Sequence, residues 1–284
     1  MICNRRAGMK KTIHVAQTIT AVLVTLIMLF PLYWMVVTSF KSGNVILTKE
    51  INLLPDSLSL DNYIEAWNRV PLGRYIMNTV IVTAMVMTIK ITGGVLAAYG
   101  FARGNFPGRN LLFYIILGAM MVPHQVTFIP LYILCSRLGW VNTYMGLVLP
   151  SVVAPHFIFM LRQAFMSVDQ SYIDAGKIDG LGTLGAIWYV MIPMCKASLI
   201  TVSLTTFITE WNSYFWPKII TQTDAVRVLT IGLVHLRESW NSEALWLHTN
   251  VTMAGAVITM IPAVVLFILF QKYMLTGYAK TAMK

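Results

Sequence analysis

The sequence predicts an all-α membrane protein with six transmembrane helices, and three observations carry that prediction. First, of 284 residues 57% are hydrophobic and only 11% are charged, with a mean hydropathy of +0.69. Soluble domains carry about 25% charged residues. Second, six stretches, roughly 13–38, 75–102, 111–135, 143–165, 186–209 and 250–274, reach the length needed to cross a hydrocarbon core, about 20 apolar residues. Third, the basic residues sort to one side once those stretches are laid across a bilayer. With the N-terminus inside, the inner segments hold Arg5, Arg6, Lys10, Lys11, Arg103, Arg109, Arg162, Lys177, Lys272, Lys280 and Lys284. They carry only three acids, Asp169, Asp174 and Asp179. The outer segments are balanced, and Lys90 and Lys196 fall within spans. The net charge of +10 is therefore a membrane-orientation signal and calls for no nucleic acid. Residues 1–284 read as a single polytopic domain with both termini in the cytoplasm.

Each span has its own signature. The first follows Arg5, Arg6, Lys10 and Lys11 like the front of a signal peptide. Its apolar run is too long for one, contains Pro31 and lacks a small-residue cleavage site, so it reads as a retained helix. The third is interrupted by Pro123 and Pro130, and the fourth by Pro150 and Pro155. A proline removes a backbone donor that neighbouring protein or water must replace, so these kinks should face the bundle interior. The outer loop 39–74 carries Pro55, Asp56, Ser57, Ser59, Asp61 and Asn62, as a short cap would. The outer loop 210–249 carries Trp211, Trp216, Trp240 and Trp246 with Glu210, Glu238 and Glu243. Such tryptophans read first as a membrane-interface belt, and second as a gating or partner surface.

Enzymatic chemistry has no visible vehicle. There is no G-x-x-x-x-G-K-[ST], H-E-x-x-H or G-x-S-x-G. His14, His124, His156, His235 and His248 are scattered, and Cys3, Cys135 and Cys195 form neither a disulfide framework nor a zinc site. The eighteen methionines read as adaptable packing. The expectation is a transporter part and not an enzyme, with no metal and no cofactor of its own.

Between the fourth and fifth spans, Tyr172–Pro193 reads YIDAGKIDGLGTLGAIWYVMIP. Asp174 and Asp179, with Gly176, Gly180, Gly182 and Gly185, make its first half unfit for the membrane. Asp174 and Asp179 are expected near helix N-termini, where a carboxylate is favoured by roughly 0.3–1 kcal/mol. Gly176 and Gly180 are expected to permit a chain reversal or a close backbone approach. Ile173, Ile178, Leu181 and Leu184 offer an apolar side to a partner cleft or the membrane surface. An ordinary solvated loop with glycine turns is the competing reading of the same residues.

Asp174-Ala175-Gly176-x-x-Asp179-Gly180, followed by Pro193, resembles the E-A-A-x-x-D-G-A…P signature of the permease subunits of binding-protein-dependent ABC importers. Phe40-Lys41-Ser42, Asn62-Tyr63, Tyr99-Gly100-Phe101-Ala102-Arg103 and Phe106-Pro107-Gly108 are similar to the sugar-importer branch, of the maltose and glycerol-phosphate type. So are Glu210-Trp211-Asn212, Trp216-Pro217, Gln271-Lys272-Tyr273 and Thr276-Gly277. The resemblance runs from about residue 20 to the end. It departs at Asp174, where Glu is usual, and at Gly176 and Leu181, where Ala is usual. It implies the six-helix, type I importer architecture with a cytoplasmic coupling helix, formed by Asp174, Ala175, Gly176, Asp179 and Gly180 and seated in an ATPase groove. It also implies a second homologous permease, two cytosolic ATPase subunits that bind ATP and Mg, and an extracytoplasmic solute-binding protein. The tail Tyr273–Lys284 is a second candidate contact with the ATPase subunits.

Polar groups at membrane depth are candidates for the cargo passage: Lys90, Asn78, His124, Gln125, His156 and Asn212. Each has a structural alternative, namely helix–helix hydrogen bonding worth about 0.6 kcal/mol a pair, or for Lys90 snorkelling or pairing within the bundle. A phosphorylated cargo would call for a cation such as Lys90. A secondary transporter driven by an ion gradient is the alternative function, and it would call for an acid deep within a span. No Asp or Glu lies deep inside any of the six stretches.

Overall fold

The computed structural model describes residues 2–42, 53–54, 58–240 and 248–282, and all regular structure among them is helical. Pro55, Asp56, Ser57, Glu243, Trp246 and Lys284 lie outside the described residues. Among the described residues, three single helices are long and apolar enough to span a membrane. They lie within α1 (Ile2–Ser39), α3 (Leu72–Arg103) and α14 (Thr249–Ala282). The other three expected spans are each a bent pair. Arg109–Met120 (α4) meets His124–Arg137 (α5) at 101°, and Tyr144–Ser151 (α6, Tyr144–Val148, with its terminal 3₁₀ turn) meets Pro155–Met166 (α7) at 41°. Thr183–Met194 meets Lys196–Ile220 at 86°. Short helices α2 (Asp61–Arg69) and α8 (Gln170–Ile178) precede α3 and the fifth pair.

The breaks follow the prolines, with corrections. Pro123 and Pro155 stand where the third and fourth spans bend, since each lacks the donor that would continue the helix. Pro130 lies inside an unbroken α5 and is not a break. The fifth span is longer and less regular than the stretch 186–209. It starts as α9 (Thr183–Gly185), widens to a π-helix over Ala186–Met191, tightens into α10 (Ile192–Met194), and bends at Cys195 before α11 (Lys196–Trp211). Pro193 sits just before that bend, and a wide turn is one way a helix absorbs a missing backbone bond. The chain then forms α12 (Phe215–Ile220) and α13 (Leu229–Glu238).

The chain divides into two compact units. In the first, Met1–Val70 with Leu233–Thr259, a buried polar knot joins α1, α2 and α14. Asn62 Nδ2 donates to the carbonyls of Ser39 and Lys41, both at 2.8 Å, and Asn250 Nδ2 donates to Asn62 Oδ1 at 2.7 Å. Lys41 is itself buried, its Nζ 4.3 Å from the Trp34 ring centroid. The motif residues Lys41 and Asn62 thus hold helix ends together. Trp240 stacks on His248 at 3.5 Å between ring centroids, with the Arg69 guanidinium 3.9 Å from the Trp240 ring.

The second unit is Pro71–Gly232 with Met260–Lys284. Its larger core joins Val95 and Ala98 of α3 to Phe157, Leu161 and Phe165 of α7 and to Met191, Cys195 and Val202. Gly94 lets α3 lie against Phe157, because a Cβ there would fall 2.5 Å from Phe157 Cδ1. Gly94→Ala is therefore expected to cost about 1–3 kcal/mol, the usual penalty of overpacking, read as a lower thermal midpoint of the purified protein. A second core gathers Cys135, Leu147, Trp216, Ile220 and Val228. Trp211 and Trp216 are buried, and Trp216 Nε1 donates to the Gly146 carbonyl at 2.9 Å. The belt reading is corrected for these two: their indoles fill the bundle, where the paired N–H of Trp216 makes burial tolerable.

Candidate functional site: a coupling knuckle and a buried ion pair

The knuckle is built from α8 and the turn that ends it. Asp169 caps the helix, accepting from the Ser171 backbone N–H at 2.8 Å. At the other end the Leu181 N–H donates to the Gly176 carbonyl at 2.9 Å and the Gly180 N–H to the Lys177 carbonyl at 3.0 Å. That pair of bonds is a Schellman motif, which requires a left-handed residue after the cap. Gly180 supplies it, at φ +82°. Gly176 does the other job expected of the pair, close approach. It is buried, and a Cβ there would lie 3.1 Å from Leu181 Cδ1.

The helix therefore has two faces. Ile173 and Gly176 are buried, Ile173 within the larger core, while Asp174, Ala175, Lys177 and Asp179 are exposed and Ile178 is 87% exposed. The apolar side of the sequence reading splits accordingly, with Ile173 inward and Ile178 and Leu184 outward. Arg103, in the last turn of α3, holds the approach to α8. It donates to Gln170 Oε1 and to the Phe165 carbonyl, both at 2.9 Å, and to the Val168 carbonyl. Arg162 donates to the Phe101 carbonyl at 3.1 Å and lies over the Phe113 ring. Charged hydrogen bonds and a packed core thus tie α8 to α3 and α7.

Asp169 and Asp174 are both held ionised by their hydrogen bonds. Bonds from the Ser171 backbone and then its hydroxyl hold the Asp169 carboxyl below its ordinary value of 3.8. Those from Gln170 and then Lys177 do the same for Asp174. A depressed carboxyl stabilises the fold fully above its unfolded pKa and loses that contribution as pH falls through the folded one. Proteolytic protection of residues 169–180 is expected to stay flat from about pH 8 to pH 5 and to fall only below the ordinary carboxylate range.

At membrane depth one constellation stands out. Lys90 Nζ lies 2.6 Å from Glu210 Oε1, with the two side chains 10% and 12% exposed. Lys90 sits eighteen residues into α3, about 27 Å along it, so Glu210 lies near the middle of that helix's length. Glu210 also borders a small cavity lined by Thr79, Thr83, Ser151, Ser213 and Trp211. The other passage candidates are not gathered around this pair. Asn78 is buried, donating to the Ala225 and Arg227 carbonyls and accepting from the Tyr144 hydroxyl at 2.6 Å. Asn212 is exposed and donates to the Ile208 carbonyl of its own helix, and His124, Gln125 and His156 are exposed on this chain.

Comparison with known proteins decides what this arrangement belongs to. The family described as "binding-protein-dependent transport system inner membrane component" matches residues 90–278, more than half of the chain. The chain is a member of that family. It is 32% identical over 257 residues to the probable ABC transporter permease protein YurM of Bacillus subtilis, covering 90% of this chain and 83% of that one. It is 29% identical to the arabinooligosaccharides transport permease AraQ of Halalkalibacterium halodurans, over 92% of each chain. The same identity, over 98% of each chain, relates it to the sn-glycerol-3-phosphate transport permease UgpE of Yersinia pestis. A bacterial ABC transporter involved in import of the acidic polysaccharide alginate has the same fold, with a TM-score of 0.82 at 23% identity over 93% of this chain and 96% of that one. The protein is thus a multi-pass inner-membrane permease with the six-helix importer architecture.

Three site expectations are corrected in this permease. Asp174 and Asp179 are not at helix N-termini: Asp174 is mid-helix and Asp179 is the C-cap, because Asp169 already starts the helix. Asn78 is an internal hub, since its carboxamide is committed to three partners within the chain. Glu210 is not in an outer loop. It lies inside α11 and is the acid at membrane depth that the hydropathy pattern did not reveal. Sequence reasoning also missed Asp169 and Arg103 as structural members of the knuckle. The residue order Asp169-Gln170-Ser171 carried the signal for the first, an N-cap residue ahead of a short helix.

Proposed function

We propose that this permease is one half of a heterodimer in an ATP-driven importer of a sugar, oligosaccharide or glycerol-phosphate-like solute. A second homologous permease completes the passage, and an extracytoplasmic solute-binding protein delivers the cargo. Two cytosolic ATPase subunits hold the ATP and Mg and grip the 172–185 loop, and both termini of this chain are cytoplasmic. The chain itself is not an enzyme and holds no cofactor. The observation that carries the reading is the two-faced knuckle. A buried Ile173–Gly176 face anchors it to the core, and an exposed Asp174–Ala175–Ile178 face is left for a partner groove. The cargo class is supported by the names of AraQ and UgpE and by the alginate importer.

The test is reconstitution with the partner subunits in nanodiscs. Solute-loaded binding protein is expected to raise ATP hydrolysis several-fold over the unloaded protein. Equal rates with every carbohydrate tried would overturn the cargo class, and a complex that assembles without contact at the knuckle would overturn the coupling role.

A further inference from the structure

We infer that Arg109 and Arg162, brought together where α4 begins and α7 nears its end, form a binding site for the phosphate of an anionic membrane phospholipid. Only the assignment of that site to the inner leaflet rests on the importer reading above. Arg162 Nε donates to the Phe101 carbonyl at 3.1 Å, and its guanidinium lies over the Phe113 ring, 4.0 Å from the centroid. Arg109 opens α4 and donates one bond from Nη1, 2.7 Å to the Gly104 carbonyl. The two guanidinium groups are close enough to repel each other. Among the described residues neither forms an ion pair with a carboxylate. Both Nη groups of Arg162, and Nε and Nη2 of Arg109, have no hydrogen-bond partner among the described residues, and they reach the surface. Arg103, the third arginine at this end, is different. It is bonded to Gln170 and to the carbonyls of Phe165 and Val168, with the Asp169 carboxylate in its field.

Two like charges side by side disfavour each other, and an anion shared between them relieves the repulsion. The donor forks of arginine match phosphate oxygens. The start of α4 adds to the same positive field, since its first turn holds no acid and no side chain caps it. Arg162 also ties α7 to α3, but that work uses Nε and the face of the guanidinium and leaves both Nη groups over. The surroundings select a lipid. Arg162 stands four residues from the end of α7, about 6 Å along it, a depth from which an arginine reaches the headgroups. Next to Arg109, Leu111, Tyr114 and Ile115 are exposed on α4, at the spacing that places them on one flank of the helix. A ligand with an anionic head and apolar tails satisfies the arginines and that flank together, whereas a free phosphate would use the arginines alone. Basic pockets between membrane helices are a usual seat for such headgroups.

The experiment is native mass spectrometry of the complete complex, titrated in detergent with phosphatidylglycerol or phosphatidylcholine. Phosphatidylglycerol is expected to bind about tenfold more tightly. Arg109→Gln is expected to remove most of that preference, and Arg109→Gln with Arg162→Gln all of it. Arg137→Gln, the same loss of charge from the exposed end of α5, is expected to leave it intact. Equal binding of the two lipids overturns the inference. So does an equal loss in Arg137→Gln, which would reveal a general attraction to a basic protein. Displacement of bound phosphatidylglycerol by inorganic phosphate at comparable concentration would show a free-anion site and overturn the lipid assignment. An Arg109→Gln complex that sheds an ATPase subunit in the same spectra would give the arginines to a protein partner, which overturns it as well. If Arg162→Gln fails to assemble, Arg109→Gln decides, because Arg109 makes a single bond within its own turn. Cargo-stimulated ATP hydrolysis of the same preparations separates the two readings. Stimulation without any lipid preference leaves the importer standing and this inference overturned, and lipid preference without stimulation by any solute does the reverse.

Discussion

Asp179→Ala combined with Gly180→Val is expected to reduce cargo-stimulated ATP hydrolysis to the unstimulated rate while insertion and abundance stay normal. Gly180 holds φ +82°, where a residue with a Cβ costs about 1–2 kcal/mol and a β-branched one more. The reversal it makes carries two bonds, from Gly180 to Lys177 and from Leu181 to Gly176. Losing it frees Leu181 from the Gly176 notch and lets the last turn of α8 unwind. Asp174, Ala175 and Ile178 then no longer share one presented face. None of the spans is touched, so membrane assembly is the internal control. ATPase assays on the reconstituted complex, beside quantitative immunoblots of membranes, separate coupling from folding.

The second large effect lies at the ion pair. Lys90→Met alone is expected to lower the yield of folded permease sharply, because it strands the Glu210 carboxylate in the bundle at a cost of about 3–5 kcal/mol. Glu210→Gln should cost less, since the long Lys90 stem lets its ammonium move toward water. Lys90→Met with Glu210→Gln should recover much of the loss, as buried pairs replaced by neutral groups of similar size often are tolerated. A double-mutant cycle on thermal stability in detergent measures the coupling. Additive single losses would show that the 2.6 Å contact contributes nothing.

The fold was legible because it rests on hydropathy and charge, which are written residue by residue. Even the bends at Pro123 and Pro155 could be read from a missing backbone donor. The bend at Cys195 could not, because the proline that accompanies it stands two residues earlier and the helix first widens into a π-turn. At the knuckle, Gly180 announced the reversal, but the helix start was misplaced: Asp174 and Asp179 dominated the reading while Asp169 does the capping. Glu210 was illegible for a different reason. A single acid at the edge of an apolar window looks like its end, and only its partner, 120 residues away on α3, shows that the helix continues. That same contact removes the argument that no acid lies within a span. What excludes a gradient-driven carrier is the family to which the chain belongs.

The most direct measurement is site-specific crosslinking from the exposed tip of α8. A cysteine at Ile178, which is 87% exposed, is expected to crosslink to an ATP-hydrolysing subunit from the cytoplasmic side, with a yield that changes when ATP is bound. A cysteine there that reacts only with reagents added outside the cell, or that never reaches such a subunit in an assembled complex, would contradict the account.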